Sequence, residues 1–243
     1  MVFAEHGHDV ILVARTKSKL DALADELQGK HGVRATVIPK DLTEPGAPKS
    51  LFTSVKRRKL DVDILVNDAG IIEHGPFLEM KVSDLTKIIQ LNAVTLTEMV
   101  RLFAEPMVAK RSGRILNVAS VAAFQPVAYM AVYAATKAFV LSLTEALSEE
   151  LAGSGVTLTA LCPGFTETPM LEHVRDSHDE SGLLPQVFIS DATTVAREGY
   201  RSTMRGEVVH VSGLFNQLLT TATSLQPRWM VRAFGGFLGK RAV

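Results

Sequence analysis

Short apolar runs alternate with longer segments of helical periodicity along most of this chain, and this alternation constrains its fold more than any other feature. The runs are rich in Val, Ile and Leu, as is typical of strands buried on both faces of a parallel sheet. They cover residues 10–14, 35–38, 64–66, 115–118 and 156–161, and the helical segments cover 19–28, 48–57, 84–110 and 132–152. The pattern predicts an α/β fold with a doubly wound parallel sheet.

Length and composition favour one domain and exclude several classes of partner. The chain has 243 residues, without an internal repeat or a low-complexity linker, so we expect a single domain over 1–243. Its 26 Lys and Arg balance its 26 Asp and Glu, which disfavours nucleic acid as a partner. One cysteine, Cys162, excludes an internal disulfide, and no signal peptide or membrane-spanning run is present, so we expect a cytoplasmic protein.

Polar and turn-forming residues follow the apolar runs. In doubly wound sheets, ligands bind at the carboxyl ends of the strands, so these residues are the first candidates for a site. They are Arg15, Asp41, Asn67 to Gly70, Ser120 and the segment 163–168.

A tyrosine and a lysine stand four residues apart in the segment VYAATKAFV. Tyr133 and Lys137 therefore project from the same face of a predicted helix. An ammonium beside a phenol favours the phenolate, so we expect a lowered pKa for Tyr133, as a general acid or base near neutrality needs. Ser120 ends the segment RILNVAS, where its hydroxyl could bind a substrate oxygen. By itself such a Tyr-Lys pair is more often a solvated helix face.

Five motifs together resemble the short-chain dehydrogenase/reductase family. They are YAATK, Ser120 upstream of it, NDAG at 67–70, LNA at 91–93 and PGFTETPM at 163–170, in the family's order and spacing. The resemblance covers nearly the whole chain and implies a Rossmann-like fold and hydride transfer between a nicotinamide cofactor and a substrate carbon.

The resemblance also implies catalytic roles for four residues. Tyr133 would exchange a proton with the substrate oxygen, Lys137 would lower its pKa and bind the nicotinamide ribose, and Ser120 would hold the substrate oxygen. Asn92 would support a water-linked proton relay to the lysine. The alternative for Asn92 is a polar residue that bends a long helix.

Cofactor preference depends on the end of the second strand of the family fold. NAD-specific members carry an acidic residue there, whereas this chain has Ala14 followed by Arg15. A guanidinium binds a 2′-phosphate, so NADP is the expected cofactor, with NAD as the alternative and a solvated Arg15 as the competing interpretation. Asp41 and Leu42 resemble the family's adenine contacts.

Further cofactor contacts are implied at two turns. At the first, NDAG departs from the usual Asn-Asn-Ala-Gly through Asp68, while Asn67, Ala69 and Gly70 are retained. Asp68 lacks the donors of an amide, so weaker cofactor binding is expected. The second turn contributes Pro163, Gly164, Thr166 and Thr168. Cys162 is interpreted as a small buried residue.

The C-terminal third is expected to determine substrate and partners. Residues 171–190 correspond to the family's substrate loop, and apolar residues there and nearby predict a hydrophobic ketone, aldehyde or alcohol as substrate. They are Phe124, Met130, Phe165, Met170, Leu171 and Leu183. The histidines form no ligand cluster, so no metal is expected.

Two segments have apolar surfaces that indicate contact with another subunit or with a membrane. The helix at 132–152 is apolar over most of its circumference, which indicates a homodimer or homotetramer. The tail at 214–243 combines an apolar stripe with basic residues, a pattern that suits peripheral membrane contact. It suits equally a cover over the substrate cleft or a neighbouring subunit.

The first residues, MVFAEHG, read as the end of a helix that closes at Gly7. In the family, a first strand and a Thr-Gly-x-x-x-Gly-x-Gly turn precede this helix, and the turn binds the cofactor pyrophosphate. That glycine pattern is absent from the sequence, so we expect the first strand and turn, roughly 15–20 residues, to be missing. Two functions therefore compete: an active NADP-dependent oxidoreductase, and a catalytically silent binding or oligomer-forming subunit.

Overall fold

The structure, a computed structural model, describes residues 1–167, 190–224, 226–227 and 229–232. The chain divides into two compact units, Met1–Asp61 and Val62–Val243. Among the described residues, no helix combines the length and apolarity that crossing a bilayer requires.

The first unit is a two-stranded parallel sheet with its crossover helix. Its elements are α1 (Val2–Glu5), β1 (Val10–Ala14), α2 (Lys17–His31), β2 (Ala35–Pro39) and α3 (Ala47–Arg57). Strands β1 and β2 pair from Val10 with Ala35 to Ala14 with Pro39. Parallel neighbours need such a crossover, and α2 supplies it before ending at Gly32, which adopts a left-handed φ of 67°.

The core of this unit joins the first helix to the crossover helix. Ala4, Leu27 and Val33 are buried together, and Val10, Leu12 and Leu23 pack against them. The first helix ends before Gly7, at φ 80°, as the opening residues predicted.

The second unit is a four-stranded parallel sheet in the order β3-β4-β5-β6. Its strands are β3 (Ile64–Asn67), β4 (Gly113–Val118), β5 (Val156–Cys162) and β6 (Val209–Val211). Its helices are α4 (Val82–Ile89), a π-helix (Gln90–Thr95), α5 (Leu96–Lys110), a 3₁₀-helix (Val121–Phe124), α6 (Ala131–Glu150), α7 (Ala192–Arg205) and α8 (Leu214–Ser224). The α/β fold with parallel strands is confirmed.

The centre of this unit lies on β4 and β5. Ile115 and Leu158 are fully buried, and so is Met107 of α5. A Cβ on Gly113 would lie 2.5 Å from Cγ of Met107, so glycine there allows the helix side chain to reach the strand backbone.

Two differences from the sequence predictions concern the site. The predicted helix at 84–110 is interrupted by the π-helix, so its register changes around Asn92. Strand β6 and helices α7 and α8 were not predicted. β6 has only three residues, which is too short for a periodicity signal, and its pairing with β5 is long-range.

Candidate active site

The site of the second unit is built at the carboxyl ends of β3, β4 and β5. Ser120 follows β4, and Pro163 and Gly164 follow β5. The Val121 N–H donates to the Pro163 carbonyl at 2.9 Å, and the Ala119 N–H donates to the Leu161 carbonyl at 2.7 Å. These bonds hold the two turns side by side beyond the sheet.

Helix α6 contributes the tyrosine and the lysine. Tyr133 is 9% exposed and Lys137 is 6% exposed, so both are buried rather than solvated. Nζ of Lys137 lies 5.7 Å from the centroid of the Tyr133 ring and donates to the Val118 carbonyl at 2.7 Å. The interpretation of this pair as a solvated helix face is wrong.

Ser120 caps the 3₁₀-helix and reaches the tyrosine. Its Oγ accepts the Ala122 N–H at 3.1 Å, and its hydroxyl forms a hydrogen bond with the Tyr133 side chain. The structure thus brings Ser120, Tyr133 and Lys137 together, three residues that the sequence separates by up to 17 positions.

The protonation of Tyr133 differs from the sequence prediction. Burial raises the pKa of Tyr133 above its ordinary value of 10.0, and the hydrogen bond with Ser120 lowers it only in part. The prediction of a lowered pKa for Tyr133 is wrong, because desolvation of the phenolate outweighs other effects when the ring is buried. Tyr133 is therefore a neutral phenol at neutral pH.

Lys137 is perturbed in the direction expected for a buried amine. Burial lowers the pKa of Lys137 from 10.5 to about 8, while the negative charge of Asp68 acts to raise it. The ammonium form therefore predominates at pH 7 and is lost in mildly alkaline solution.

Asn92 lies in the middle of the π-helix and is 2% exposed. Its Oδ1 accepts the Ile71 N–H, and its Nδ2 donates to the Ile71 carbonyl, both at 2.9 Å. Nδ2 also donates to Oγ1 of Thr136 at 3.2 Å. Asn92 therefore joins the π-helix to the segment after β3 and to α6, and π-helical turns of this kind are frequent at functional sites.

The segment after β3 leaves space beside the lysine. A Cβ on Gly70 would lie 3.5 Å from Oδ1 of Asn92 and 3.7 Å from Nζ of Lys137. Ala69 and Asp68 beside it are exposed. A small-residue cradle next to an ammonium that keeps further N–H donors fits a ribose hydroxyl group, so these residues fit a nicotinamide dinucleotide.

Asn67 takes part in a series of hydrogen bonds that connects the elements of the site. Its Nδ2 donates to Oδ1 of Asn117 at 2.9 Å, and Nδ2 of Asn117 donates to Oγ1 of Thr144 at 3.0 Å. These two hydrogen bonds connect β3 to β4 and β4 to α6. Asn117 was not a sequence candidate, although a fully buried polar residue inside the apolar run RILNV was a usable signal.

The turn after β5 is held by its own bonds and by α8. Oγ1 of Thr166 donates to the Gly164 carbonyl at 3.1 Å. A Cβ on Gly164 would overlap the side chain of Asn216, whose Nδ2 donates to the Ser212 carbonyl at 2.8 Å. Asn216 was also missed, since no motif connects it with this turn. Thr168, Met170, Leu171, Leu183 and most of 171–190 lie outside the described residues.

Cys162 is structural, as predicted. It is fully buried, and burial raises the pKa of the Cys162 thiol to about 12, so the thiolate needed for nucleophilic chemistry does not form near neutrality.

In the first unit, Arg15 and Asp41 follow β1 and β2. Arg15 is exposed, whereas Asp41 and Leu42 are half-buried. Oδ1 of Asp41 accepts the N–H of Thr43 at 2.9 Å and its hydroxyl at 2.7 Å. These bonds, with a smaller contribution from the charge of Arg15, lower the pKa of Asp41, which keeps it a carboxylate.

A pocket opens beside Tyr133. It is partly open to solvent, and its walls include Phe77, Met80, Ile88 and Met130. Of the predicted lining residues that the structure describes, Met130 lines this largely apolar pocket, whereas Phe124 and Phe165 do not.

A parallel α/β sheet with a serine, a buried tyrosine and a buried lysine clustered beyond its strand ends defines a class of nicotinamide-dependent oxidoreductases. The chain belongs to the short chain dehydrogenase family, whose model matches residues 1–179. The fold is Rossmann-like, and the family assignment from the sequence motifs is confirmed.

Three relatives illustrate the similarity. Oxidoreductase UcpA of Escherichia coli is 34% identical over 180 residues, which cover 73% of this chain and 68% of that protein. The short-chain dehydrogenase from Sphingobium yanoikuyae, solved in complex with NADPH, is 31% identical with a TM-score of 0.79, covering 92% of this chain and 87% of that one. The bulky-bulky ketone specific alcohol dehydrogenase from Comamonas testosteroni is 28% identical with a TM-score of 0.76, covering 92% and 86%.

Proposed function

We propose that this oxidoreductase reduces hydrophobic ketones or aldehydes to alcohols with NADPH. The observation that carries the proposal is the cluster of half-buried Ser120 with buried Tyr133 and Lys137, of which Tyr133 lines a largely apolar pocket. The catalytic roles follow from the chemistry of these groups.

Tyr133 is the proton donor. A phenol with a raised pKa stays protonated at neutral pH, so it can deliver its proton to a carbonyl oxygen as negative charge develops there. When the carbonyl binds, the Ser120 hydroxyl gives up its hydrogen bond with Tyr133 and donates to the same carbonyl oxygen. Bound NADPH supplies the hydride for the carbonyl carbon.

Lys137 binds the cofactor, and Asn92 positions the segment beside it. The Lys137 ammonium, held by the Val118 carbonyl, binds the ribose hydroxyls beside Gly70 and favours the phenolate that forms after proton transfer. Asn92 acts as a positioning residue, because its amide is bonded to both backbone groups of Ile71 and so fixes the segment that carries Gly70. Pro163, Gly164 and Thr166 shape the opposite turn.

Two features support NADPH as the cofactor. Arg15 places a guanidinium, which binds a 2′-phosphate, directly after β1. An acidic residue at this position would repel that phosphate. The Sphingobium yanoikuyae relative binds NADPH. Asp41 and Leu42 are proposed adenine contacts.

The hydrophobic substrate is supported by the pocket and by one relative. Apolar walls beside Tyr133 exclude water and accept an apolar substituent of the carbonyl. The alcohol dehydrogenase of Comamonas testosteroni acts on bulky ketones, as its name states.

A homo-oligomer is supported by apolar residues left exposed on α5, α6 and the π-helix. Phe139 is 44% exposed, Val94 40% and Val108 36%. We propose that a second copy covers this surface, and sedimentation of wild type against Phe139→Lys tests it, with a smaller species expected for the variant. Cytoplasmic location and tail-mediated membrane contact stay predictions.

The test is NADPH oxidation with a panel of aryl and alkyl ketones, comparing wild type with Tyr133→Phe. We expect turnover by wild type and a loss of about 10²–10⁴-fold in kcat for the variant, whose ring still fills the buried position. NADPH binding, followed by nicotinamide fluorescence, should survive in both. Wild type that binds no NADPH and turns over no ketone would support the silent subunit instead.

A further inference from the structure

One residue beside the pocket has an unusual backbone conformation. Tyr129 has φ of 62°, in the left-handed region that bulky residues rarely adopt. It lies two residues before α6 and four residues before Tyr133, and it lines the pocket. Such outliers persist where surrounding contacts hold them, and they cluster at functional sites.

The contacts that hold Tyr129 come from the segment after β3. The Gly75 N–H donates to the Tyr129 carbonyl at 2.9 Å. The rings of His74 and Tyr129 stack with centroids 6.0 Å apart and planes 23° apart. Gly75, like Tyr129, lines the pocket. The backbone bond and the ring contact together join two segments that are 54 residues apart in sequence.

The same two segments support the catalytic tyrosine. Tyr133, Ala122 and Ala134 form a buried cluster, and Ile72, Val127 and Met130 pack against it. Ile72 precedes His74, and Val127 and Met130 flank Tyr129. Fixing His74 against Tyr129 therefore fixes the apolar wall that faces a substrate substituent at Tyr133.

We propose that His74 and Tyr129 form an aromatic clamp that holds one wall of the substrate pocket, which makes them specificity-determining residues for ketones with an aromatic or other bulky substituent. The inference rests on the proposed function for its substrate. The clamp acts on binding of the substituent, while Ser120, Tyr133 and Lys137 act on the carbonyl.

The clamp requires planar rings rather than a titratable histidine. His74→Phe keeps a ring that can stack on Tyr129, and His74→Ala removes it. Tyr129→Gly removes the ring at the other position and adopts the same φ without strain. Leu78→Ala is the matched control, since Leu78 lies in the same loop and is 93% exposed.

The kinetic test compares acetophenone with 2-butanone in NADPH oxidation. For His74→Ala and Tyr129→Gly we expect KM for acetophenone to rise about tenfold, with KM for butanone and kcat for both ketones within about twofold of wild type. His74→Phe and Leu78→Ala should match wild type. Equal losses of kcat for both ketones, or wild-type KM in His74→Ala, would overturn the clamp.

A second measurement does not depend on turnover. Hydrogen exchange of the Gly75 amide, followed by NMR on the full chain, reports the bond to the Tyr129 carbonyl directly. We expect His74→Ala to accelerate this exchange about tenfold and His74→Phe to leave it within about threefold. Unchanged exchange in His74→Ala would reject the clamp even if no ketone were a substrate, whereas wild type without ketone activity would reject only the proposed function.

Discussion

Charged side chains lie at the carboxyl ends of parallel strands in both compact units, but their surroundings differ. Lys137 reaches the end of β4 from helix α6, whereas Arg15 and Asp41 follow β1 and β2 in the chain. Lys137 in the second unit is 6% exposed, and its pKa falls to about 8, whereas Arg15 in the first unit is exposed to solvent. Asp41 is half-buried and keeps its charge through two bonds from Thr43. Burial therefore decides how strongly a charged group near a strand end interacts with its neighbours, because that strength depends on how much water surrounds the charge.

If burial decides how much an interaction contributes, the largest effect is expected at Asn92, whose side chain is buried. Asn92→Ala removes three hydrogen bonds and leaves the N–H and carbonyl of Ile71 without their side-chain partner, so we expect the free energy of unfolding to fall by about 2–4 kcal/mol. Urea denaturation measures it. Thr97→Ala, which removes one hydroxyl bond to the Ala93 carbonyl, is the control and should cost less than about 1 kcal/mol. Equal losses of unfolding free energy in the two variants would show that the buried amide of Asn92 stabilises the fold no more than the Thr97 hydroxyl does.

The next effect concerns Lys137 and pH. Because the folded pKa of about 8 lies below the ordinary 10.5, the unfolded state binds more protons between these values, and stability should rise with pH there. Lys137→Met removes this dependence. We expect the free energy of unfolding of wild type, relative to the variant, to increase by about 2 kcal/mol from pH 7 to pH 10. A flat difference across that interval would contradict the buried, perturbed ammonium.

A smaller effect is expected at Arg15. If this exposed guanidinium binds the 2′-phosphate, Arg15→Ala should weaken NADPH binding by about tenfold and leave NADH unchanged. Lys17→Ala, which removes a neighbouring exposed cation paired with Asp21, is the control. Fluorescence titration with both cofactors measures the effect, and equal weakening of NADH would show that Arg15 does not read the phosphate.

The smallest effect is expected at Asp68, an exposed residue that acts on a buried one. Asp68 is exposed, yet its carboxylate raises the pKa of buried Lys137. Asp68→Asn should therefore lower that pKa, and the alkaline limb of kcat/KM for ketone reduction should move to lower pH. An upward shift would have the wrong sign for a carboxylate acting on an ammonium.

The sequence predicted strands β1 to β5 to within two residues at each end, because a buried parallel strand is a local run of Val, Ile and Leu. Spacing predicted that Tyr133 and Lys137 share a helix face, since a helix repeats every 3.6 residues. The motifs identified the family, and the proposed roles of Ser120 and Asn92 came from them rather than from spacing. The short strand β6 and helices α7 and α8 were missed.

The tertiary structure alone decided the electrostatics of the site. The pKa of Tyr133 rises because residues distant in the sequence exclude water from its ring. No local sequence pattern shows how deeply the ring is buried. The amide of Asn92 bonds to Ile71, Asn67 bonds to Asn117, and His74 stacks on Tyr129 across 55 positions or fewer. The sequence by itself determined which residues could act and where each element forms, since both are local properties. Which of those residues became buried, paired and perturbed depended on long-range packing.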